Sequence, residues 1–216
     1  PNTVPDNLRE ISPTFFFAVP RIWEKFHSAI NIGVQNATWF KRQSYKLAMV
    51  IGKRAAEKRI QHRPLPFPLW LAHLFVSLTV FRKIKKLLGI DRARFALSGA
   101  APISPSVLEY FHIIGVKVRE SYGLTESSGL ISMHKDQNIQ LGTCGEIMSG
   151  VEVKIAEDGE ILARGNVVFQ GYFKDDQKTK ETLADGWLHS GDLGQMTEDG
   201  HLRVTGRKKD LIITSG

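Results

Sequence analysis

Apolar residues along this chain keep two different periods, and the change between them falls near residue 128. Before it, short apolar runs alternate with long stretches whose apolar positions recur at helical spacing. From Gly129 onward the runs are short, alternate with polar residues and are cut by turn residues. Thr14–Val19 (TFFFAV), an unbroken apolar run ending at Pro20, predicts a buried strand. Ile22, Phe26 and Ile30, and later Leu47, Val50 and Ile51, predict helix from Arg21 to His62, interrupted near Gly33 and residues 36–38. Pro64, Pro66 and Pro68 lead into another helix ending near Leu88. Arg94–Leu97 predicts a strand. Ser104 can then cap a helix with Pro105 in its first turn, a favoured start. That helix ends near Ile114, and Val116–Tyr122 returns as a strand, completing a parallel crossover unit.

Two hairpins are predicted downstream. One joins Val151–Ile155 to Glu160–Ala163 through Glu157-Asp158-Gly159, and the other joins Leu193–Thr197 to His201–Thr205 through Glu198-Asp199-Gly200. Asp175–Leu183 reads as a short helix between them. The expected fold class is therefore α/β plus β. A partial α/β layered subdomain with crossover helices occupies residues 1–128, and a small distorted β-barrel subdomain occupies residues 129–206.

Composition narrows the classes without choosing one. Of 216 residues, 42% are hydrophobic and 24% charged, which excludes wholesale disorder and fibrous repeats. A single cysteine, Cys144, excludes an internal disulfide framework and a cysteine-rich metal site, and suits a reducing, cytoplasmic setting. The seven histidines show no metal-ligand spacing. The first residue is Pro1 rather than Met, which leads us to expect a piece of a longer protein.

Charge is unevenly spread. Residues 1–100 hold 17 Lys and Arg against 5 Asp and Glu, whereas residues 101–216 hold 12 against 17. Basic clusters stand at Lys53, Arg54, Lys58, Arg59 and Arg63, and at Arg82, Lys83, Lys85 and Lys86. A solvated helix face, or an anionic membrane surface or acidic ligand, would account for them. No nucleic-acid-binding module accompanies the charge, so nucleic acid is not expected as a partner. The second cluster follows Leu69–Phe81, an apolar stretch of 13 residues, shorter than the roughly 20 a bilayer span needs. A core helix is the expected reading, and a helix lying peripherally at a membrane interface is the alternative.

Phosphate-loop, dinucleotide, zinc-protease and serine-hydrolase patterns are all absent. His189, Ser190 and Asp192 are too close in sequence to converge as a catalytic triad. Four glycine-bearing polar segments stand out instead: SGAAP (98–102), SYGLTESSG (121–129), GWLHSGDLG (186–194) and TGRKKDLIITSG (205–216). Each is expected on a loop, and loops beyond strand ends are where α/β folds bind ligands. Tyr122 offers a flat face to a base, and Gly99 and Ala100 permit close approach of a ring. Asp192 can accept from two ribose hydroxyls, Thr125 can contact phosphate, Glu126 can ligate Mg2+, and Arg207 is a permanent cation. Together these types suit a nucleotide. Each also has a plain alternative: a strand-end aromatic, a cap, a turn brace or a solvated charge.

These segments, with PRIWEKFH (20–27), resemble the adenylate-forming superfamily. The likeness is to AMP-forming acyl-CoA synthetases of the long-chain and very-long-chain type, including the bubblegum branch, and it covers nearly the whole chain. The resemblance implies that Gly99, Ala100 and Ala101 line the adenine, that Tyr122 stacks on it, and that Gly123 lies near the acyl group. It further implies that Thr125 contacts phosphate, Glu126 helps hold Mg2+, Asp192 with Arg207 binds the ribose, and Lys209 is the pivot of a C-terminal domain, with residues 207–216 starting the hinge. The implied reaction joins a fatty acid to CoA through acyl-AMP at the expense of ATP. A fatty acyl-AMP ligase loading a carrier protein, or a basic membrane-binding interaction module, are the alternatives. The family's upstream phosphate loop and its small C-terminal domain are not in this sequence. The segment by itself is therefore expected to lack turnover, to bind nucleotide weakly, and to self-associate through exposed apolar surface and strand edges.

Overall fold

Two parallel strands anchor the first part of the chain. The structure, a computed structural model, describes residues 4–135 and 138–212, and divides into one compact unit up to Arg119 and a second from Glu120 onward. In the first unit, β1 (Phe15–Ala18) pairs in parallel with β2 (Phe95–Ser98), Phe15 facing Phe95 and Ala18 facing Ser98. Ahead of β1 lies α1 (Val4–Ile11), a short helix that the apolar pattern does not announce.

Helix α2 (Pro20–Gln35) starts on a proline, whose missing N–H costs nothing in a first turn, and buries Trp23, Phe26 and Ile30. Trp23 is wholly buried, edge-on to Phe111 at 4.9 Å and to Phe16 at 5.2 Å, and its indole N–H donates to the Leu97 carbonyl at 3.3 Å. Helix α3 (Trp39–Ile60) turns small residues inward: Ala48, Gly52, Ala55 and Ala56. A Cβ on Gly52 would stand 2.7 Å from the Phe81 ring and 2.9 Å from the Ile113 carbonyl, so close helix approach requires glycine there. Helix α4 (Phe67–Val76) continues through a π-turn (Ser77–Phe81) into α5 (Arg82–Leu88), which ends on the left-handed Gly89. Helix α6 (Pro105–Ile113) buries Leu108, Tyr110 and Phe111, and strand β3 (Val118–Tyr122) crosses the division between the units.

Two expectations for this unit need correction. The β1 run is packed on one face only, with Phe15 and Phe17 exposed, because a strand presents alternate side chains to opposite faces. The apolar helix is not a core helix on all sides either. Residues 67–88 form one helix of 22 residues, long and apolar enough by length and composition to cross a membrane. Phe67, Trp70, Leu71, Leu74, Phe75 and Leu78 are exposed along it, while His73, Val76 and Phe81 face inward. The His73 Nδ1 accepts from Arg59 at 3.4 Å and faces the Ser77 hydroxyl at 3.3 Å. Burial, with Arg59 and Lys85 adding to it, pushes its pKa down to about 4.

In the second unit β3 leads to β4 (Ser132–Met133) and β5 (Glu146–Ile147), joined as antiparallel neighbours. The larger sheet contains β6 (Val151–Ile155), β7 (Glu160–Gly165), β9 (Trp187–Met196) and β10 (Leu202–Arg207), in the order β10-β9-β7-β6. Strand β8 (Leu183–Ala184) pairs with β9 and follows α7 (Asp176–Thr182). Ile131, Val151, Ile161, Ala163, Leu188 and Leu202 form the core. Both predicted hairpins are present, their turns closed by Gly159 and Gly200 at φ 86° and 77°.

The expected barrel is not. Among the described residues β6 and β10 are the edges of an open sheet. Leu202 of β10 exchanges bonds with the segment ahead of β5, its N–H donating to Gly145 at 2.8 Å and its carbonyl accepting from Cys144 at 2.7 Å. That segment is too short for a ladder, since β5 ends at Ile147 and the chain turns at Gly150 to begin β6 at Val151.

Candidate functional site: a carboxylate held by an aromatic and a guanidinium

The GWLHSGDLG segment lies inside a strand rather than on a loop, and an irregularity in that strand creates the site. Where β7 meets β9, Leu162 faces His189 but Glu160 faces Leu193, so Ser190, Gly191 and Asp192 stand opposite the single residue Ile161. Such a bulge frees backbone groups from the ladder and re-aims side chains. Gly191 takes φ 70°, a left-handed conformation open chiefly to glycine. The Asp192 amide, freed in this way, donates to the Ser190 hydroxyl at 3.1 Å.

Asp192 is only 6% exposed, and each of its carboxylate oxygens is engaged. The Tyr122 hydroxyl donates to Oδ2 at 2.9 Å, and the Arg207 Nε stands 3.2 Å from Oδ1. Arg207 is the cross-strand partner of Asp192 in the β10–β9 ladder, whereas Tyr122 ends β3 and is 70 residues away in sequence. Burial, assisted by the Asp192 charge, raises the Tyr122 phenol above its ordinary value, so it remains a donor at neutral pH. Three of the four segments thus meet within the second unit, on one buried carboxylate.

The segment after Tyr122 is a tight turn. A Cβ at Gly123 would overlap the Gly129 carbonyl, so the chain can close there only with glycine. The Ser127 hydroxyl receives the Leu124 amide at 2.9 Å and donates to the Leu124 carbonyl at 3.0 Å, fixing a 3-10 turn over Thr125–Ser127. Thr125 is exposed on this turn. Glu126 is half-buried, and its Oε1 accepts from the Tyr172 hydroxyl at 2.6 Å. Among the described residues no three His, Cys, Asp or Glu side chains cluster as a metal site. A lone carboxylate of this kind fits Mg2+, which usually keeps waters and phosphate oxygens as its other ligands.

Lys209 is exposed in the 3-10 turn Lys208–Ile212, and the end of its motif (213–216) lies outside the described residues. Gly99, Ala100 and Ala101 belong to the first unit, on the turn after β2, where Ala100 holds a left-handed φ of 69°. A non-glycine residue there is strained, and such strain is concentrated at functional turns.

Sequence reasoning missed two groups. Tyr172 had no signal, being 46 residues from Glu126. Glu160 had a faint one, a carboxylate beginning the otherwise apolar run EILA. It is buried, accepts from the Gly191 amide at 2.8 Å and from Lys208 at 2.9 Å, and faces His189 Nδ1 at 3.3 Å. Burial alone would raise its pKa, but Lys208, the Gly191 amide and His189 together bring it below the usual value.

The family described as AMP-binding enzyme matches residues 1–173. A long-chain-fatty-acid–CoA ligase of Gallus gallus is 39% identical over 222 residues, covering 99% of this chain and 28% of the relative. One from Mycobacterium tuberculosis (strain ATCC 25618 / H37Rv) is 35% identical over 209 residues, covering 97% and 34%. The chain therefore spans about a third of the length of the curated relatives it matches. Among solved structures, an o-succinylbenzoate CoA synthetase of Bacillus subtilis, in complex with its acyl-adenylate intermediate, superimposes with a TM-score of 0.52 at 30% identity, covering 56% of this chain and 27% of that one. An anthranilate CoA ligase in complex with anthranoyl-AMP covers 96% of this chain and 33% of its own, with a TM-score of 0.61 at 18% identity, and speaks for the fold alone. With the family matched over residues 1–173, most of its length, the chain belongs to the AMP-binding enzyme family.

Proposed function

We propose that this chain is the nucleotide-binding part of an AMP-forming long-chain fatty acid–CoA ligase. The observation that carries the reading is Asp192, buried between Tyr122 and Arg207 on three motif segments. The names of the relatives supply the substrate class. In the reaction, a fatty carboxylate oxygen attacks the α-phosphorus of ATP and pyrophosphate leaves. The thiol of CoA then attacks the acyl carbon, releasing AMP and a proton. Neither step needs a side-chain nucleophile, so catalysis rests on positioning and on cations near the phosphates.

Asp192 accepts from the ribose hydroxyls, and its bond to Tyr122 holds the phenol ring as a face for the adenine. Thr125 offers its hydroxyl to phosphate. Glu126 is the protein ligand for Mg2+, which when bound neutralises phosphate charge. Gly123 borders the acyl group, and Lys209 is the pivot for a following domain. In the full-length protein, Asp192→Asn should lower fatty-acid-dependent pyrophosphate release on the order of a hundredfold at limiting ATP, since charge-assisted hydrogen bonds are lost. Unchanged ATP dependence in a folded variant would overturn the reading. Acyl-AMP that accumulates with CoA present, and discharges onto a carrier protein, would point to the carrier-loading reaction.

A second observation favours peripheral membrane contact. The exposed stripe Phe67, Trp70, Leu71, Leu74, Phe75 and Leu78 runs into exposed Arg82, Lys83 and Lys86, the pattern of a helix lying at an anionic lipid surface. The whole protein should co-sediment with phosphatidylglycerol-containing vesicles and much less with phosphatidylcholine alone. Neutralising the three basic residues, or Trp70→Ser, should release it. Absence of binding, or burial of the stripe by self-association in solution, would exclude the lipid surface.

A further inference from the structure

Glu160 opens β7 at 4% exposure, outside all four motif segments, yet its partners are the chain neighbours of Asp192 and Arg207. Its Oε1 receives the amide of Gly191, the residue before Asp192. Its Oε2 receives the ammonium of Lys208, the residue after Arg207, and faces His189 at the start of the bulge. Lys208 is tethered a second time, to Asp158 at 2.6 Å.

The need for such a group follows from the bulge. Three residues of β9 oppose one of β7, so the ladder alone does not fix where the Ser190–Asp192 excursion lies. The Gly191 amide, left without a strand partner, must be satisfied by something else. A buried carboxylate is costly unless it is paired and hydrogen-bonded, and Glu160 is both. It ties Gly191 of β9 to Lys208, just past the end of β10, next to the Asp192–Arg207 pair.

We propose that Glu160 is a positioning residue for nucleotide binding, holding Gly191 and Lys208 so that Asp192 and Arg207 present a fixed acceptor geometry to the ribose. This rests on the reading of Asp192 as the ribose ligand. Glu160 touches no substrate itself. Its loss loosens the site without removing any group that binds.

The test uses the full-length protein with Glu160→Ala, Glu160→Gln, Lys208→Met and Asp192→Asn, each checked for thermal unfolding. Glu160→Ala should raise KM for ATP by about tenfold or more, the loss of charge-assisted bonds, with kcat and KM for fatty acid little changed. Glu160→Gln, which keeps an acceptor for the Gly191 amide, should restore part of that loss. Lys208→Met covers the case in which Glu160→Ala fails to fold, and should raise KM for ATP several-fold. Equal rises in KM for ATP and for fatty acid, accompanied by a lowered Tm, would make Glu160 merely structural and overturn the proposal. So would unchanged KM for ATP in folded Glu160→Gln and Lys208→Met while Asp192→Asn is impaired, and the ribose site would then stand. If Asp192→Asn itself leaves ATP use untouched, the ribose reading falls first and the proposal falls with it.

Discussion

Among the described residues, the two units differ in the charge they bury: buried carboxylates lie in the second alone. The first fills its interior with Trp23, Phe81, Phe111 and Leu108 and with small residues along α3, and leaves large apolar side chains outside. The second places Glu120, Asp192, Glu160, His134 and His201 inside. Its carboxylates are held by amides, a phenol, an ammonium and a guanidinium. The difference shows how labour is divided. Helices packed through small residues give a rigid block with an open apolar face, whereas bulged strands offer unpaired backbone groups that can hold charge away from water.

Trp23→Ala should sharpen this contrast most. It should cost about 3–5 kcal/mol of stability through the first unit, read by chemical denaturation. A cost below about 1 kcal/mol would mean the aromatic cluster is not what holds that unit together.

Acid and base should act on the units in opposite directions. His73 has a native pKa of about 4 against an ordinary 6.5, so the native form binds fewer protons than the unfolded chain in that interval, and stability is lost as pH falls through it. Glu120 is pushed up to about 7, chiefly by burial, against an ordinary 4.5. There the native form binds more protons, and stability present below about 4.5 is lost as pH rises toward 7. Each contributes up to about 3 kcal/mol. Hydrogen exchange followed separately over the two units between those limits should show the crossing trends, and Glu120→Gln should flatten the second. Parallel trends would break the comparison.

The smallest effect belongs to the bulge. A Cβ on Gly191 meets nothing within 4 Å, so Gly191→Ala carries only the left-handed backbone penalty, about 1 kcal/mol in a thermal melt. A much larger loss would mean that the bulge is braced by more than its hydrogen bonds.

What could be read from the sequence follows the range of the forces involved. The hairpins were legible because Gly159 and Gly200 set their turns locally, and the helices because apolar spacing survives in sequence. The exposure of Phe15, Phe17 and the α4 stripe was not, since periodicity reveals an apolar face but not what covers it. The Ser190–Asp192 segment looked like a loop because a bulge has a loop's residues with a ladder on either side. The meeting of Tyr122 with Asp192 was implied by resemblance, not by spacing. Glu160 escaped notice because a glutamate beside a turn glycine usually faces solvent, and only the tertiary fold turns this one inward.

The engagement of Asp192 also sets a stoichiometry. A carboxylate has about four lone-pair positions. The phenol and the guanidinium take one on each oxygen, leaving two, which equals the number of adjacent alcohols on an intact pentose. On the proposed reading of Asp192, a 2′-deoxy sugar would leave one acceptor without its partner, so the same carboxylate would also disfavour DNA-type nucleotides.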